Sequence, residues 1–299
     1  MSDFFRMRTN TAALFINRQI YQAEKGLRQA QERLSSGLRI NSAADDAAGL
    51  AISERLRVAS RGLSQAEKNA QDGISLLQTA EGGLASISQQ LQRIRELAIQ
   101  AANDSLTNSD RELIQKEIGE LVDEIDRTSS SIQYNNRQLL KNDFGTVDYG
   151  GKASTGKASL VFHIGSNRGE TLKITTNNIS TTTSTSLGIR IGGEKINITS
   201  QQLAESAIEI ATRAINSISA RRARVGAVQN RLEGAIEFLQ IQNENTMAAE
   251  SRIRDADIAA ESVKYTKNMI LLQAGTAMLA QAISTQNQIL LQLLNSGVI

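Results

Sequence analysis

The sequence contains no proline, no cysteine and no tryptophan, and aromatic residues make up only 3% of it. Without cysteine the chain can have no disulfide, no thiol nucleophile and no cysteine-ligated metal site. Because proline interrupts helices and aromatic side chains fill compact cores, their scarcity favours long helices over a large globular core.

Histidine and net charge are also scarce. The single histidine, His163, excludes a metal centre that needs two imidazole ligands, and we interpret it as a structural or surface residue because no partner motif accompanies it. The 33 basic and 31 acidic residues leave a net charge of +2, with no basic run interleaved with aromatics. This pattern does not favour nucleic-acid binding, and nothing in the composition indicates an enzyme or a bound cofactor.

Apolar residues form no uninterrupted run long enough for a membrane span. The first residues, MSDFFRMRTNTAAL, lack the apolar centre of a secretory signal. We therefore expect no membrane span and no export by the general secretory route.

A joint between two helices is predicted at residues 34–56, LSSGLRINSAADDAAGLAISERL. Gly37 follows the last periodic residue of the first helix and suits a left-handed terminating conformation. Ser42 and Asp45 predict a capping box at the start of the second helix. In the first helix, apolar residues at alternating spacings of three and four predict a seam along another helix: Ile16, Ile20, Ala23, Leu27, Ala30 and Leu34.

Two further helices are predicted between the joint and residue 140. The first has a heptad pattern that Gly82 and Gly83 do not interrupt, and it should end around residues 103–108. Ser109 and Glu112 predict a capping box for the second, which should run antiparallel to the first. The apolar positions are Leu77, Ala80, Leu84, Ile87, Leu91, Ile94, Ala98 and Ala101 in the first, and Ile114, Ile118, Leu121, Ile125 and Ile132 in the second, with Thr128 as its polar member.

A small β region is predicted at residues 141–200, where glycine, serine and threonine become frequent. Apolar residues alternate along two predicted hairpins, the second of which turns at a glycine pair. The run at 175–186, TTNNISTTTSTS, is of low complexity and predicts an exposed loop. The alternating residues are Leu160, Phe162, Ile164, Leu172 and Ile174 in the first hairpin, and Ile189, Ile191, Ile196 and Ile198 in the second.

The last two predicted helices differ in how their apolar residues are distributed around the helix. One has a single apolar face interrupted by Arg221, whereas residues 269–294 are apolar on every side. Such a helix must be buried all round, and one N-terminal helix at 12–34 cannot cover it. We therefore expect other copies of the chain to cover its leucines, each of which gains about 1.5–3 kcal/mol on burial. The single face comprises Ala207, Ala211, Ala214, Ile218, Val225, Val228, Leu232, Ala235 and Leu239.

The predicted fold is mainly α, with long antiparallel helices in a coiled-coil bundle and a small β-hairpin region in the middle of the chain. We expect one helical domain made of the two chain ends, residues 1–45 and 254–299. Between them we expect a core domain with N-terminal helices at 46–140, the β region at 141–200 and a C-terminal helix at 201–253.

Four stretches of the sequence closely resemble bacterial flagellin, in the order in which that family has them. They are residues 34–56, 69–103, 117–135 and 251–294, the last reading SRIRDADIAAESVKYTKNMILLQAGTAMLAQAISTQNQILLQLL. Met7 corresponds to the usual flagellin start better than Met1 does. The bulky variable outer domains common in the family have no counterpart here, so the resemblance implies a short flagellin.

The resemblance implies a structural subunit that the flagellar type III export apparatus secretes and that polymerises into an extracellular helical filament for motility. The chain ends would be disordered before assembly and would then pair as a coiled coil lining an inner tube. Further implied partners are an export chaperone on the C-terminal helix, the filament cap and the junction proteins. The implied polymerisation residues are Ile16, Ile20, Leu27, Leu34, Ile270, Met278, Leu279, Ile283, Ile289, Leu290, Leu293 and Leu294.

The resemblance also implies a receptor contact and a modification. Many flagellins bind the host flagellin-sensing Toll-like receptor through a helical patch, here Gln92, Arg93, Glu96, Leu97, Gln100 and Glu117. Arg93 and Glu96 are equally well interpreted as ordinary solvated helix charges and as contacts between subunits. Hydroxyl-rich loops of flagellins are often O-glycosylated, although a plain solvated linker is the simpler interpretation. The candidate positions are Thr181, Thr182, Thr183, Ser184, Thr185 and Ser186.

Three other kinds of protein share part of this pattern. A hook–filament junction protein shares the same terminal helices. A cytoplasmic coiled-coil signalling protein shares the heptads but needs no C-terminus that is apolar on every side. An enzymatic flagellin with an inserted protease is disfavoured, because the sequence has no HExxH motif and the insert is short.

Overall fold

The computed structural model describes residues 10–140, 159–175, 183–191 and 194–295. The chain divides into two compact units, which we call the terminal unit (residues 1–58 and 245–299) and the central unit (residues 59–244). The mainly α fold class is confirmed, and the finer division into five segments stays a prediction. The described elements are, in order, α1 (Thr11–Ser36), α2 (Ala47–Ala101), α3 (Asn108–Ser131), β1 (Gln133–Tyr134), β2 (Arg137–Gln138), β3 (Ser159–His163), β4 (Thr171–Thr175), β5 (Arg190–Ile191), β6 (Glu194–Lys195), α4 (Gln201–Arg254) and α5 (Ile258–Asn295).

Helix α1 has a defined cap at each end. The side chain of Asn10 accepts a hydrogen bond from the Ala13 N–H, and Gly37 ends the helix with a φ of 71° and its N–H donating to the Arg33 carbonyl. This left-handed conformation carries little cost for glycine because it has no Cβ. The predicted end of the first helix at Gly37 is therefore confirmed.

The capping box predicted for α2 is wrong. The Asp45 carboxylate accepts hydrogen bonds from the N–H groups of Asn41 and Ser42, at 3.2 and 3.0 Å, and closes a turn that precedes the helix. The backbone bonds from Ser42 and Asn41 are the main cause that lowers the pKa of Asp45. Asp46 caps α2 instead, since its carboxylate accepts from the Gly49 N–H at 2.9 Å.

The central unit places α2 and α3 antiparallel, as predicted. The Arg111 side chain donates to the Ala101 carbonyl at 2.9 Å near the turn, and Arg93 pairs with Glu117 further along. The heptad residues of α2 are buried. In the predicted α3 seam, Ile118, Ile125 and Thr128 are buried, whereas Ile114, Leu121 and Ile132 are partly buried against the same core, Ile132 just past the end of the helix. The predicted seams of both helices are therefore confirmed.

The predicted cap of α3 lies two residues too far along the chain. Thr107 and Asp110 form the capping box. The Thr107 hydroxyl accepts from the Asp110 N–H at 3.3 Å, and the Asp110 carboxylate accepts from the Thr107 N–H at 3.0 Å. The predicted partner Ser109 lies inside the helix and therefore cannot cap it.

Helix α4 runs antiparallel to the part of α2 that lies in the central unit. Ser60 donates to Asn243 at 2.6 Å, and Arg95 donates to Thr212 at 3.3 Å. The predicted apolar face is confirmed, with seven of its nine members buried: Ala207, Ala211, Ala214, Ile218, Val225, Leu232 and Leu239. Arg221 replaces one apolar member of this face. Burial lowers its pKa, and the positive charge of Arg224 acts in the same direction.

Three two-stranded antiparallel sheets are described in the central unit. The first predicted hairpin is confirmed, with Leu160 opposite Ile174 and Phe162 opposite Leu172. The second is confirmed by the pairing of β5 with β6. The hairpin of β1 and β2 was not predicted, although its turn residues Asn135 and Asn136, with φ of 49° and 61°, are typical of a tight hairpin turn.

Candidate polymerisation surface

Helices α1 and α5 pair antiparallel in the terminal unit. Asn10 donates to Gln286 at 2.8 Å at one end of the pair, and Arg33 donates to Glu261 at 3.2 Å at the other. The less exposed residues of each helix recur at spacings of three and four, which is the pattern of a coiled coil. They are Ala13, Ile16, Ile20, Ala23, Leu27, Ala30 and Leu34 on α1, and Glu261, Tyr265, Asn268, Leu272, Gly275, Leu279, Ala282 and Gln286 on α5.

Two glycines allow the helices of this seam to approach closely. A Cβ added to Gly275 would lie 2.8 Å from Cγ1 of Ile20, and one added to Gly26 would lie 2.6 Å from Nδ2 of Asn268. The close approach is therefore made from both helices, at Gly26 of α1 and at Gly275 of α5.

The charged end of the seam is formed around Glu261, which is 5% exposed. Its carboxylate accepts from Lys264 at 2.8 Å and from Arg33 at 3.2 Å. The hydrogen bond from Lys264 is the main cause that lowers the pKa of Glu261, and Arg33 acts in the same direction. The carboxylate is therefore ionised at neutral pH and joins both helices.

The joint is held by backbone pairing between its two connections. The Ala256 N–H donates to the Gly37 carbonyl at 2.9 Å, and the Arg39 N–H donates to the Arg254 carbonyl at 2.6 Å. Arg254, 9% exposed, also donates to Glu54 at 2.9 Å. The connection after α1 and the connection before α5 are thus fixed to each other, which positions the helix pair.

The sides of α1 and α5 that face away from the seam expose large apolar side chains. Phe15 is 56% exposed on α1, and Ile270 and Met278 are 58% and 61% exposed on α5. Each such side chain gains about 1.5–3 kcal/mol when it is removed from water. The expectation that α1 leaves much of α5 uncovered is therefore confirmed for the described side chains.

The predicted polymerisation residues fall into three groups. Ile16, Ile20, Leu27, Leu34 and Leu279 are half-buried in the seam within one chain. Ile270, Met278 and Ile283 are exposed. Ile289, Leu290, Leu293 and Leu294 belong to α5, but their side chains lie outside the described part of the structure.

Several exposed apolar residues are absent from the predicted polymerisation residues, three of them on α1 outside its seam and four on α5. A search for large apolar residues outside the seam positions finds them from the sequence alone. They are Leu14, Phe15, Tyr21, Val263, Met269, Leu271 and Leu291.

The candidate receptor patch lies on α2 and α3 in the central unit. Arg93 donates to Glu117 through two nitrogens, at 2.8 and 3.0 Å, and these bonds raise its pKa. Gln92, Glu96 and Gln100 are exposed beside it. Leu97 is wrong as a surface contact, since it is 2% exposed. It is buried because α2 packs against both α3 and α4, which widens its buried face.

The hydroxyl-rich loop is exposed only in part. Thr185 and Ser186 are exposed and Thr183 is half-buried, whereas Thr181 and Thr182 lie outside the described residues. Ser184 is buried, with its N–H and its Oγ donating to Asp126 at 2.8 and 2.6 Å. The prediction of an exposed acceptor is therefore wrong for Ser184, because its hydroxyl is already bonded inside the fold.

The described residues contain no group of three or more histidine, aspartate or glutamate side chains arranged to bind a metal ion. Across the same part of the chain, no helix combines the length and the apolar character that a bilayer span requires. His163 is exposed at the end of β3 opposite Thr171, in agreement with its interpretation as a surface residue.

Comparison with known proteins supports the resemblance. A family described as the bacterial flagellin N-terminal helical region matches residues 7–144, and one described as the bacterial flagellin C-terminal helical region matches residues 208–294. A flagellar filament core protein of Brachyspira hyodysenteriae is 45% identical, over 95% of this chain and 98% of that protein. A flagellin of Bacillus subtilis is 42% identical, over 97% of this chain and 99% of that protein.

One solved structure also shares the fold. A protein of Vibrio parahaemolyticus, assigned as a flagellar hook-associated protein, has a TM-score of 0.56 and 16% identity, and the likeness covers 71% of this chain and 100% of that one. At this identity the comparison supports the fold alone.

Proposed function

This chain belongs to the bacterial flagellin family and is a structural, non-enzymatic subunit of the flagellar filament; on that basis we propose that it polymerises through the outward faces of α1 and α5. The observation that carries the proposal is the exposure of Ile270, Met278 and Ile283 on a helix whose other side is already paired with α1. The 45% identity to a flagellar filament core protein, over 95% of this chain, favours a filament subunit over the junction protein and the signalling coiled coil.

Polymerisation through these faces covers the apolar surface that the single chain leaves in water. Contacts between different faces of successive copies do not close, so they generate an open helical polymer. Gln273 and Gln281 are exposed among the apolar residues and supply hydrogen bonds between copies. Once these amides are buried between copies, their hydrogen bonds fix the alignment of the neighbouring helices.

Export, location and accessory partners are part of the same proposal and rest on the family resemblance. We infer that the flagellar export apparatus secretes the chain and that the filament lies outside the cell. An export chaperone would cover α5 beforehand, since an uncovered apolar face promotes premature association. The filament cap and the junction proteins would contact the two ends of the polymer.

Electron microscopy of the purified chain, salted out or seeded with filament fragments, tests the proposal. We expect long helical tubes from the full chain and soluble monomers after deletion of residues 288–299. Met278→Glu should block tube formation, whereas Gln281→Glu, a matched substitution at an exposed polar position of the same helix, should weaken it less. Normal filaments from both the truncated chain and Met278→Glu would contradict the mechanism.

We further propose that the exposed patch around Arg93 binds the host Toll-like receptor. The double hydrogen bond between Arg93 and Glu117 supports this, because it fixes the guanidinium on the surface before binding. We also propose that Thr185 and Ser186 are the described positions open to O-glycosylation, since both residues are exposed. The Ser186 hydroxyl donates to the Thr183 carbonyl at 2.9 Å, but this bond lies at the surface, unlike that of Ser184.

A further inference from the structure

Three methionines lie in the described part of the chain, and all three are exposed. Met247, near the end of α4, is 55% exposed, and Met269 and Met278 on α5 are 43% and 61% exposed. Methionine is among the residues that folded proteins most often bury. The exposure of Met269 and Met278 therefore stands out, and it falls on the helix that carries the proposed polymerisation faces.

The composition makes these sulfur atoms the main targets of a mild oxidant. The sequence has no cysteine, whose thiolate reacts with peroxides, and no tryptophan. The polarisable thioether of methionine is then the side chain that a peroxide attacks. Oxidation converts this flexible apolar side chain into a polar sulfoxide, and methionine sulfoxide reductases reverse the change.

Met269 and Met278 lie on opposite flanks of α5. Met269 follows the seam residue Asn268 by one position, whereas Met278 precedes the seam residue Leu279 by one. One residue turns an α-helix by about 100°, so the two side chains point to opposite sides of the seam. A neighbouring copy that packs on either flank of the pair formed by α1 and α5 therefore covers one of the two sulfur atoms.

The surroundings of both methionines suit an apolar side chain and not a sulfoxide. Residues 269–295 include no charged side chain. A sulfoxide oxygen buried between copies is costly unless a donor bonds to it. The nearest amides along the helix are Gln273, four positions after Met269, and Gln281, three positions after Met278. If either amide turns to the sulfoxide, it loses the hydrogen bond that we assign to it between copies.

We propose that Met269 and Met278 are oxidation sites through which peroxide controls polymerisation. This inference rests on the proposed function. The sulfur donates an electron pair to one oxygen of hydrogen peroxide, the O–O bond breaks, and the products are methionine sulfoxide and water. The sulfur is oxidised by two electrons and the peroxide is reduced by two. The monomer is sensitive because both side chains are exposed, and the filament protects them by covering them.

The critical concentration for polymerisation tests this control. Monomers are treated with hydrogen peroxide, catalase removes the excess, and sedimentation after salting out measures the critical concentration. We expect oxidation to raise it by about tenfold or more in the wild-type chain. In the double variant Met269→Leu and Met278→Leu it should change by less than about twofold, because leucine packs similarly and has no sulfur. Met247→Leu is the matched control and should stay as sensitive as the wild type.

Peptide mass mapping follows each methionine by its gain of one oxygen atom. We expect Met269 and Met278 to be oxidised much more slowly in filaments than in the chain lacking residues 288–299 under the same salt. Equal rates would overturn the protection that the proposal requires. Treatment with both classes of methionine sulfoxide reductase should restore the wild-type critical concentration. Their thiol reductant has no disulfide to reduce in a chain without cysteine.

The remaining outcomes separate this inference from the proposed function. Full oxidation of Met269 and Met278 with an unchanged critical concentration would overturn the inference alone. Equal sensitivity of the double leucine variant and the wild type would also overturn it, because another methionine would then be responsible. A wild-type chain that forms no filaments before oxidation would overturn both.

The single variants decide the question if the untreated double variant does not polymerise. Met269→Leu and Met278→Leu should then each lose part of the sensitivity to peroxide. Unchanged sensitivity in both single variants would overturn the inference.

Discussion

Arg33 of α1 donates a hydrogen bond across 3.2 Å to the carboxylate of Glu261 on α5, 228 positions later in the chain. Glu261 is 5% exposed and also accepts from Lys264. This ion pair closes the seam between the two chain ends next to the joint. Removing Glu261 leaves Arg33 with only the more distant carboxylate of Asp45, at 4.0 Å, as a counter-charge.

We expect Glu261→Gln to destabilise the pairing of α1 with α5 by about 1–3 kcal/mol at neutral pH. A carboxylate with a lowered pKa stabilises the fold above its ordinary value, 4.5 for Glu261, and this stabilisation is lost as the pH falls through the lowered pKa. The difference in stability between the variant and the wild type, both measured as filaments in which α1 and α5 are paired, should therefore shrink once the pH is below 4.5. Thermal melts followed by circular dichroism at several pH values measure it.

The control for this prediction is Glu24→Gln on α1. Glu24 is paired with Arg28 at 3.7 Å, and its side chain is 46% exposed. Such exposed pairs contribute about 0–1 kcal/mol. A difference for Glu261→Gln that stayed constant from neutral to acid pH would show that its charge does not support the pairing.

Gly82 and Gly83 should respond in opposite directions to alanine. A Cβ on Gly82 meets nothing within 4 Å, whereas one on Gly83 would lie 2.1 Å from the side chain of Ile132. We expect Gly82→Ala to stabilise the central unit by about 0.5–1 kcal/mol, because alanine loses less entropy in a helix. Gly83→Ala should destabilise it by about 1–3 kcal/mol through overpacking. Denaturant unfolding of both variants measures the change, and equal effects would contradict the packing at Gly83.

Ser184 should be structural and its exposed neighbours modifiable. We expect Ser184→Ala to destabilise the central unit by about 1.5–3 kcal/mol, since Asp126 loses the hydroxyl donor at 2.6 Å. Thr185→Ala, at an exposed position, should have little effect. Peptide mass mapping of protein from its native source should place any glycan of this described turn on Thr185 or Ser186. An intact mass equal to that of the bare chain would refute glycosylation.

The receptor proposal predicts a specific role for Arg93. We expect Arg93→Ala to shift the dose response of receptor-expressing reporter cells by about tenfold, with the monomer equally stable because the side chain is exposed. Arg95→Ala is the matched control, since Arg95 is an exposed arginine two positions along the same helix whose side chain donates to Thr212. An unchanged response to Arg93→Ala would place the contact elsewhere.

The seams could be predicted from the sequence because heptad spacing places the apolar residues on one face of a helix, and that face is the one that becomes buried. The row from Leu77 to Ala101 is buried as its spacing indicates, and Gly37 ends α1 as a glycine past a seam should. The caps of α2 and α3 were less predictable. Several serine, threonine and aspartate residues lie close together there, and any of them satisfies the local pattern.

The sequence predicts that α5 carries the candidate polymerisation surface, but it predicts less well which residues of α5 are exposed there. Residues 269–294 reveal from sequence alone that α5 needs cover on every side. The sequence does not indicate which of these residues α1 already covers. Leu279 lies in the seam and Met278 beside it is exposed, a difference that depends on how the two helices are rotated about their axes.

By itself the sequence determined the helices, their seams, the two predicted hairpins and the family, because periodicity, glycine placement and collinear resemblance are properties of the linear chain. Only the tertiary structure decided the environment of single residues. Leu97 is enclosed because α2 has two neighbours in the central unit, Ser184 is enclosed because Asp126 lies across from it, and Phe238 is open because no described residue covers it. Burial depends on neighbours that are distant in sequence, and local patterns carry no information about them.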